Sequence, residues 1–190
     1  MKKHIYFVTT NTNKFEEASK WLKDLAPDIE LEQSKLDLPE IQSLDQKEVT
    51  IAKAKDAWAI LKKPLLVDDE ALFIEKYPLF PGTLTKLIRK TIGIDGILKL
   101  AGENKNASIA NSLVYLESPD NYHVFNGVTK GKLSEPTKPD TEKKLISADV
   151  LIVDGYNKTY SELKNTDQVK NFHNRYQAIK KFADWFKKSN

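Results

Sequence analysis

Leu66-Val67-Asp68-Asp69-Glu70, followed by Pro81-Gly82-Thr83-Leu84-Thr85-Lys86, is the stretch on which the fold and chemistry of this chain turn. A short apolar run delivers paired carboxylates to the end of a buried strand, and a Pro-Gly turn then delivers a lysine. Hard carboxylate oxygens suit a divalent cation and ammonium groups suit phosphate oxygens, so the two together point to polyphosphate chemistry. By itself the fragment is also compatible with a plain solvated strand end, and the flanking sequence has to decide.

Upstream, His4 to Thr9 has the β-branched and aromatic content of a buried opening strand, and Asn11-Thr12-Asn13 breaks it. Phe15, Ala18 and Leu22 then recur at helical spacing, which predicts a helix over Lys14 to Leu25. Backbone N–H groups at such a helix start favour an anion, so Thr9, Thr10, Asn11 and Lys14 are candidate phosphate contacts; simple helix capping accounts for the same residues. Ile29 to Gln33 alternates like a strand, and Asp37-Leu38-Pro39-Glu40 is a rigid loop whose Glu40 can point inward. A helix is expected over Gln46 to Leu61, with Val49, Ile51, Ala52, Ala57, Ile60 and Leu61 inward and Lys53 and Lys55 on different faces.

Downstream, Leu84 to Thr91 and Asp95 to Ala101 read as two short helices. Ala107 to Glu117 and Tyr122 to Leu133 read as strands joined through Ser118-Pro119-Asp120-Asn121, a hairpin turn. A polar connection over Ser134 to Lys144, a strand over Val150 to Val153 and a closing helix over Asn174 to Lys188 complete the chain. Strands interleaved with helices indicate an α/β class, and without repeats or a splitting linker the expectation is a single domain over residues 1–190.

Composition narrows the chemistry. The 190 residues are 40% hydrophobic and 30% charged, and the 30 basic residues are dispersed against 27 acidic ones, so no block-like nucleic-acid footprint is visible. No stretch approaches the roughly 18 apolar residues of a membrane span. The apolar run after Met1-Lys2-Lys3-His4 is too short for a signal peptide, which predicts a cytoplasmic protein with neither nucleic-acid nor membrane partners. With no cysteine, thiolate metal sites, disulfides and cysteine nucleophiles are excluded, leaving carboxylates, lysines and three histidines.

Six segments, in order, resemble the inosine triphosphate pyrophosphatase family, which hydrolyses non-canonical purine nucleoside triphosphates to monophosphate and pyrophosphate. Thr9 to Lys14 is similar to the family's Thr-Gly-Asn-x-x-Lys, and Asp37-Leu38-Pro39-Glu40-Ile41-Gln42 to Asp-Leu-Pro-Glu-x-Gln. Val67 to Glu70 resembles Val-Glu-Asp-Thr, and Pro81 to Lys86 resembles Pro-Gly-x-x-x-Lys. Phe125 to Gly131 resembles Phe-x-Gly-x-x-x-Gly, and Thr159 to Glu162 resembles Thr-Tyr-Ala-Glu. The resemblance implies an elongated two-lobed α/β fold with a central mixed sheet flanked by helices and a cleft between the lobes, usually as a homodimer. It also implies that Glu40 and Asp69 hold Mg²⁺, that Asp68 or Asp69 orients the attacking water, and that Lys14, Lys53 and Lys86 hold the triphosphate.

Departures concentrate where the family reads its base. The aromatic Phe-Gly-Trp/Tyr-Asp-Pro segment corresponds to Ile146-Ser147-Ala148-Asp149-Val150, in which Asp149 alone survives, and Ser-His-Arg becomes His173-Asn174-Arg175. Pro136-Thr137-Lys138 stands for Pro-Arg-Gly, and Thr10 for glycine. Asp149, His173 and Arg175 are the remaining candidates for base contacts, whereas His4 and His123 read as structural. Retained phosphate residues with altered base readers predict a pyrophosphohydrolase of changed or broadened selectivity; the alternative is a weak or inactive homologue that binds nucleotide or a partner.

Overall fold

The apolar run around Leu66 forms the third strand of a seven-stranded mixed sheet in the computed structural model, which describes residues 2–136 and 145–189. In chain order the elements are β1 (Lys3–Val8), α1 (Thr12–Leu25), β2 (Ile29–Ser34), α2 (Gln46–Leu61), β3 (Leu65–Ile74), β4 (Pro81–Gly82), α3 (Thr85–Ala101), β5 (Asn106–Ser118), β6 (Asn121–Leu133), α4 (Ser147–Val150), β7 (Leu151–Val153), α5 (Tyr160–Leu163), α6 (Val169–Phe172) and α7 (Asn174–Ser189). The strand order is β2-β1-β3-β5-β6-β7, with β4 paired to β3. Helices α1 and α2 are crossover connections, so β1 lies parallel to both β2 and β3; β4 and β7 pair antiparallel with β3 and β6.

Two differences from the sequence expectation matter for the site. The strand expected to end at Asp69 continues to Ile74, because Ala71, Leu72 and Ile74 return to the interior after Glu70. The two aspartates therefore sit within a strand, where successive side chains leave on opposite faces. On α2 the buried stripe runs through Val49, Thr50, Ala54 and Ala57, whereas Ile60 is 61% exposed, so that apolar residue does not mark the inward face.

The expected break between two helices lies inside α3 at Gly93, whose φ of 70° and ψ of −177° are non-helical. The segments α4, α5 and α6 are single turns too short to announce themselves by periodicity. The Thr159-Tyr160-Ser161-Glu162 motif is a capping box: Thr159 Oγ1 accepts from the Glu162 N–H and Glu162 Oε2 accepts from the Thr159 N–H at 2.7 Å. Of the expected Ser134 to Lys144 connection, 137–144 lie outside the described residues, and with them Thr137 and Lys138.

Contacts divide the chain into two compact units, one formed by Met1–Asp69, Asn111–Gly127 and Arg175–Asn190 and the other by Glu70–Ala110 and Val128–Asn174. In the first unit Leu65 and Val67 of β3 pack with Val114 and Leu116 of β5 against Ala54 and Ala57 of α2. Tyr115 packs on Phe182 and Trp185 of α7, with ring centroids 5.2 and 5.5 Å apart. The second unit has its own core, in which Leu72 and Ile74 of β3 join Ile94, Ile97, Tyr160 and Phe172.

Candidate active site

Asp68 and Asp69 obey the strand alternation and so acquire different neighbours. Leu65 and Val67 face α2, and Asp69 continues that face: Gln46 Nε2, on the first residue of α2, donates to the Asp69 main-chain oxygen at 3.0 Å and to Oδ2 at 3.2 Å. Asp68 turns to α1 and α7. Its Oδ1 accepts from Lys14 Nζ at 3.0 Å, and its Oδ2 accepts from Arg175 Nε at 2.7 Å and Asn111 Nδ2 at 2.8 Å. Arg175 also donates through Nη1 to Glu17 of α1. Lys14 and Glu17, one helical turn apart, thus reach Asp68 directly and through Arg175.

This wiring gives the two carboxyls opposite electrostatics. Burial would raise the Asp68 carboxyl, but Lys14 and Arg175, by charge and by hydrogen bonding, outweigh it and hold Asp68 well below the usual carboxylate range. The Asp69 carboxyl is raised, first by burial and further by repulsion from Asp68 and Glu40, against partial relief from Lys14 and Gln46. Asp68 is an ionised carboxylate held by three donors; Asp69 is the carboxyl whose ionised form its surroundings favour less.

Glu40, in the loop before α2, accepts from Lys53 Nζ at 2.6 Å. As expected, Lys53 and Lys55 leave α2 on different faces: Lys55 lies over the Tyr122 ring, 5.4 Å from its centroid. Among the described residues no group of three or more histidines, aspartates or glutamates is gathered as a ready-made metal cage. The donor set nevertheless fits Mg²⁺, which is bound by one or two carboxylates and completes its shell with water and substrate oxygens. Glu40 and Asp69 are hard oxygen donors, and burial of the Asp69 carboxyl disfavours its charged form, which a bound cation would favour.

At the opening loop Asn11 is the N-cap of α1, its Oδ1 accepting from the Lys14 N–H at 3.3 Å, and Thr9 Oγ1 accepts from the Asn11 N–H at 3.1 Å. Capping therefore accounts for both side chains, while Thr10 is exposed. Lys14, Lys53, Asp68, Asp69, Glu40 and Arg175 all belong to the first unit.

Lys86, Asp149 and His173 belong to the second unit. Lys86 is exposed on the first turn of α3, where the Pro-Gly motif fixes it: Gly82 has a φ of +54°, a Cβ there would lie 2.4 Å from the Leu79 carbonyl oxygen, and Thr85 Oγ1 donates to Gly82 O at 2.6 Å and accepts from the Leu72 N–H at 2.9 Å. Asp149 accepts from the Ile146 N–H at 2.9 Å and from Ser161 Oγ at 2.5 Å, joining α4 to α5. His173 is 1% exposed, with its ring 5.0 Å from that of Tyr160. Asn174 accepts from Tyr160 Oη at 2.5 Å and donates to Glu70 Oε2 at 3.0 Å.

Sequence reading missed Gln46, Glu17 and Asn111. Gln46 and Glu17 carry no signal beyond an ordinary polar helix residue. Asn111, followed by Ser112 in a strand that also holds Asn106 and Ser108, is no more conspicuous, and its burial at 1% exposure is seen only in the fold.

The family model described as Ham1 matches residues 5–185. The chain is 33% identical over 183 residues to a protein of Thermococcus kodakarensis named dITP/XTP pyrophosphatase, covering 96% of this chain and 97% of that one. It is 35% identical over 145 residues to the inosine triphosphate pyrophosphatase of Saccharomyces cerevisiae, covering 72% and 74%. Among solved structures, the Ham1 protein of Staphylococcus aureus shares the fold with a TM-score of 0.79 at 18% identity, over 99% of this chain and 100% of that one. A family match spanning nearly the whole sequence, together with relatives about 33% identical over 96% of the chain, places this chain in the Ham1 family.

Proposed function

We propose that the chain is a nucleoside triphosphate pyrophosphohydrolase that cleaves non-canonical purine nucleoside triphosphates between the α- and β-phosphates, giving monophosphate and pyrophosphate. The observation that carries this is the divided aspartate pair: one carboxylate ion-paired with both Lys14 and Arg175, its neighbour on the opposite strand face hydrogen-bonded to the Gln46 amide and raised in pKa by burial. The names of the relatives, dITP/XTP and inosine triphosphate pyrophosphatase, support the substrate class.

Glu40 and Asp69 would hold Mg²⁺, which when bound neutralises phosphate oxygens and polarises the phosphorus. Asp69 is the better placed of the aspartates to orient and deprotonate water, since a base as strongly neutralised as Asp68 has little proton affinity to offer. Lys14 and Lys53 stabilise negative charge moving onto departing pyrophosphate, and Lys86 is assigned to the triphosphate on the strength of its motif. Retention of both carboxylates and these lysines favours turnover over a role confined to binding. The decisive assay incubates the protein and Mg²⁺ with a panel of canonical and deaminated triphosphates and measures pyrophosphate and orthophosphate separately. Pyrophosphate from the deaminated purines supports the function; orthophosphate alone overturns it.

A further inference from the structure

Asn111 is a buried amide in the middle of β5, and its hydrogen bonds run to both aspartates. Its Nδ2 donates to Asp68 Oδ2 at 2.8 Å and to the Asp69 main-chain oxygen at 3.3 Å. Both neighbours are acceptors, which fixes the amide with nitrogen toward them; Oδ1 is then turned away, and among the described residues it has no hydrogen-bond partner. A buried acceptor without a partner is a standing cost to the fold, and an apolar residue at this place in β5 would avoid it. What the amide supplies in return is a link no aliphatic side chain can make, between the carboxylate of Asp68 and the backbone of Asp69. The Asp69 carbonyl consequently accepts from two side-chain amides, Asn111 of β5 and Gln46 of α2.

We propose that Asn111 is a positioning residue for the hydrolysis: by tying the Asp68 carboxylate to the Asp69 main chain, it fixes the direction in which the Asp69 carboxylate leaves the strand. The assignment rests on the function proposed above. Asn111 is buried and its amide nitrogen is engaged by the two aspartates, so its loss should act on turnover of every nucleotide alike. Outer-shell partners of this kind typically contribute about 10- to 100-fold.

The test uses Asn111→Leu, which fills the same space without a donor, and Asn111→Ala, which guards against overpacking by the first. Each variant is measured for kcat and KM with xanthosine triphosphate and inosine triphosphate at saturating Mg²⁺, for its urea unfolding midpoint, and by crystallography. The expected result is a fall in kcat of about 10- to 100-fold in folded protein, a KM changed less than about threefold and an unaltered ranking of the two bases. In the crystal the Asp68 carboxylate and the Asp69 carbonyl should be displaced. Full kcat in a folded variant, a change confined to KM, or both aspartates in their original places would overturn the assignment. Absence of pyrophosphate release by the unaltered protein would instead overturn the proposed function, and the crystallographic comparison would still decide whether Asn111 positions the aspartates.

Discussion

In the first unit charged side chains far apart in sequence converge on one strand residue, whereas in the second unit the carboxylates of Asp149 and Glu162 close local loops. Asp68 draws Lys14 and Arg175 from 54 and 107 residues away, and both bonds are part-buried or buried. Asp149 draws the Ile146 N–H and the Ser161 hydroxyl from 3 and 12 residues away, and Glu162 returns to Thr159 over 3. Local pairings of this kind stabilise turns and arise wherever a helix needs a cap. Buried long-range charge networks are expensive to assemble and rarely improve stability over apolar packing, so they persist chiefly where the charge itself is used. Of the residues proposed for phosphate chemistry, Glu40, Lys14, Lys53 and Asp69 lie in the first unit and Lys86 in the second, where Asp149 and His173, suggested by the sequence as base readers, are engaged by neighbours within that unit.

The largest effect should come from opening the charge network. Arg175→Met leaves Asp68 and Glu17 without their shared partner and should lower unfolding free energy by about 3 kcal/mol or more, read from urea titration. Asp149→Asn, at a local pairing, should cost far less, and an equal loss would break the contrast. The network also sets an acid dependence: a carboxyl held below its unfolded value stabilises the fold above about pH 4 and loses that contribution as pH falls. Acidification should therefore destabilise the unaltered protein more steeply than Arg175→Met.

Asp69→Asn should divide activity from stability. Turnover should drop by about two decades or more, because a hard ligand and a base are removed together. A carboxyl raised in the fold contributes stability only at low pH and loses it as pH rises through its folded value, so without metal at pH 7 the Asn variant should be at least as stable as the parent. A marked loss of stability with activity intact would reverse the roles assigned to the two aspartates.

Smaller and uniform effects are expected from the lysines. Lys14→Ala and Lys53→Ala should each weaken kcat/KM by about 1.5–3 kcal/mol for every nucleotide tested, as loss of a charge-assisted contact does. A variant that instead reordered the bases would blur the division between units. The mildest expectation concerns selectivity. The Ile146 to Val150 segment has no ring to stack on a base, Phe172 is 4% exposed within the second core, and Asn174 bridges Tyr160 and Glu70. The preference in kcat/KM for inosine triphosphate over ATP should therefore stay below about three decades, since a site without buried readers leaves nothing unpaired by a mismatch.

Most of the fold was legible because its signals are local and periodic. The crossover helices, the hairpin and the closing helix follow from apolar spacing and turn residues, and the break at Gly93 from a glycine between two short amphipathic runs. The continuation of β3 was hidden by Asp68-Asp69-Glu70, which looks like a strand end because a run of carboxylates is read as solvated. The site was legible as a set of residue types but not as an arrangement. No pattern in sequence tells that adjacent aspartates face different helices, that Arg175 reaches Asp68, or that Gln46 and Asn111 both hold the Asp69 carbonyl, since those facts arise only when strands pair.

Which bond is broken is the most direct test of the account as a whole. Xanthosine triphosphate hydrolysed by the protein with Mg²⁺ in ¹⁸O-enriched water should yield xanthosine monophosphate and pyrophosphate in equal amounts, with a single solvent oxygen incorporated into that pair and no labelled orthophosphate. Xanthosine diphosphate together with orthophosphate would place the cleavage between the β- and γ-phosphates and contradict it.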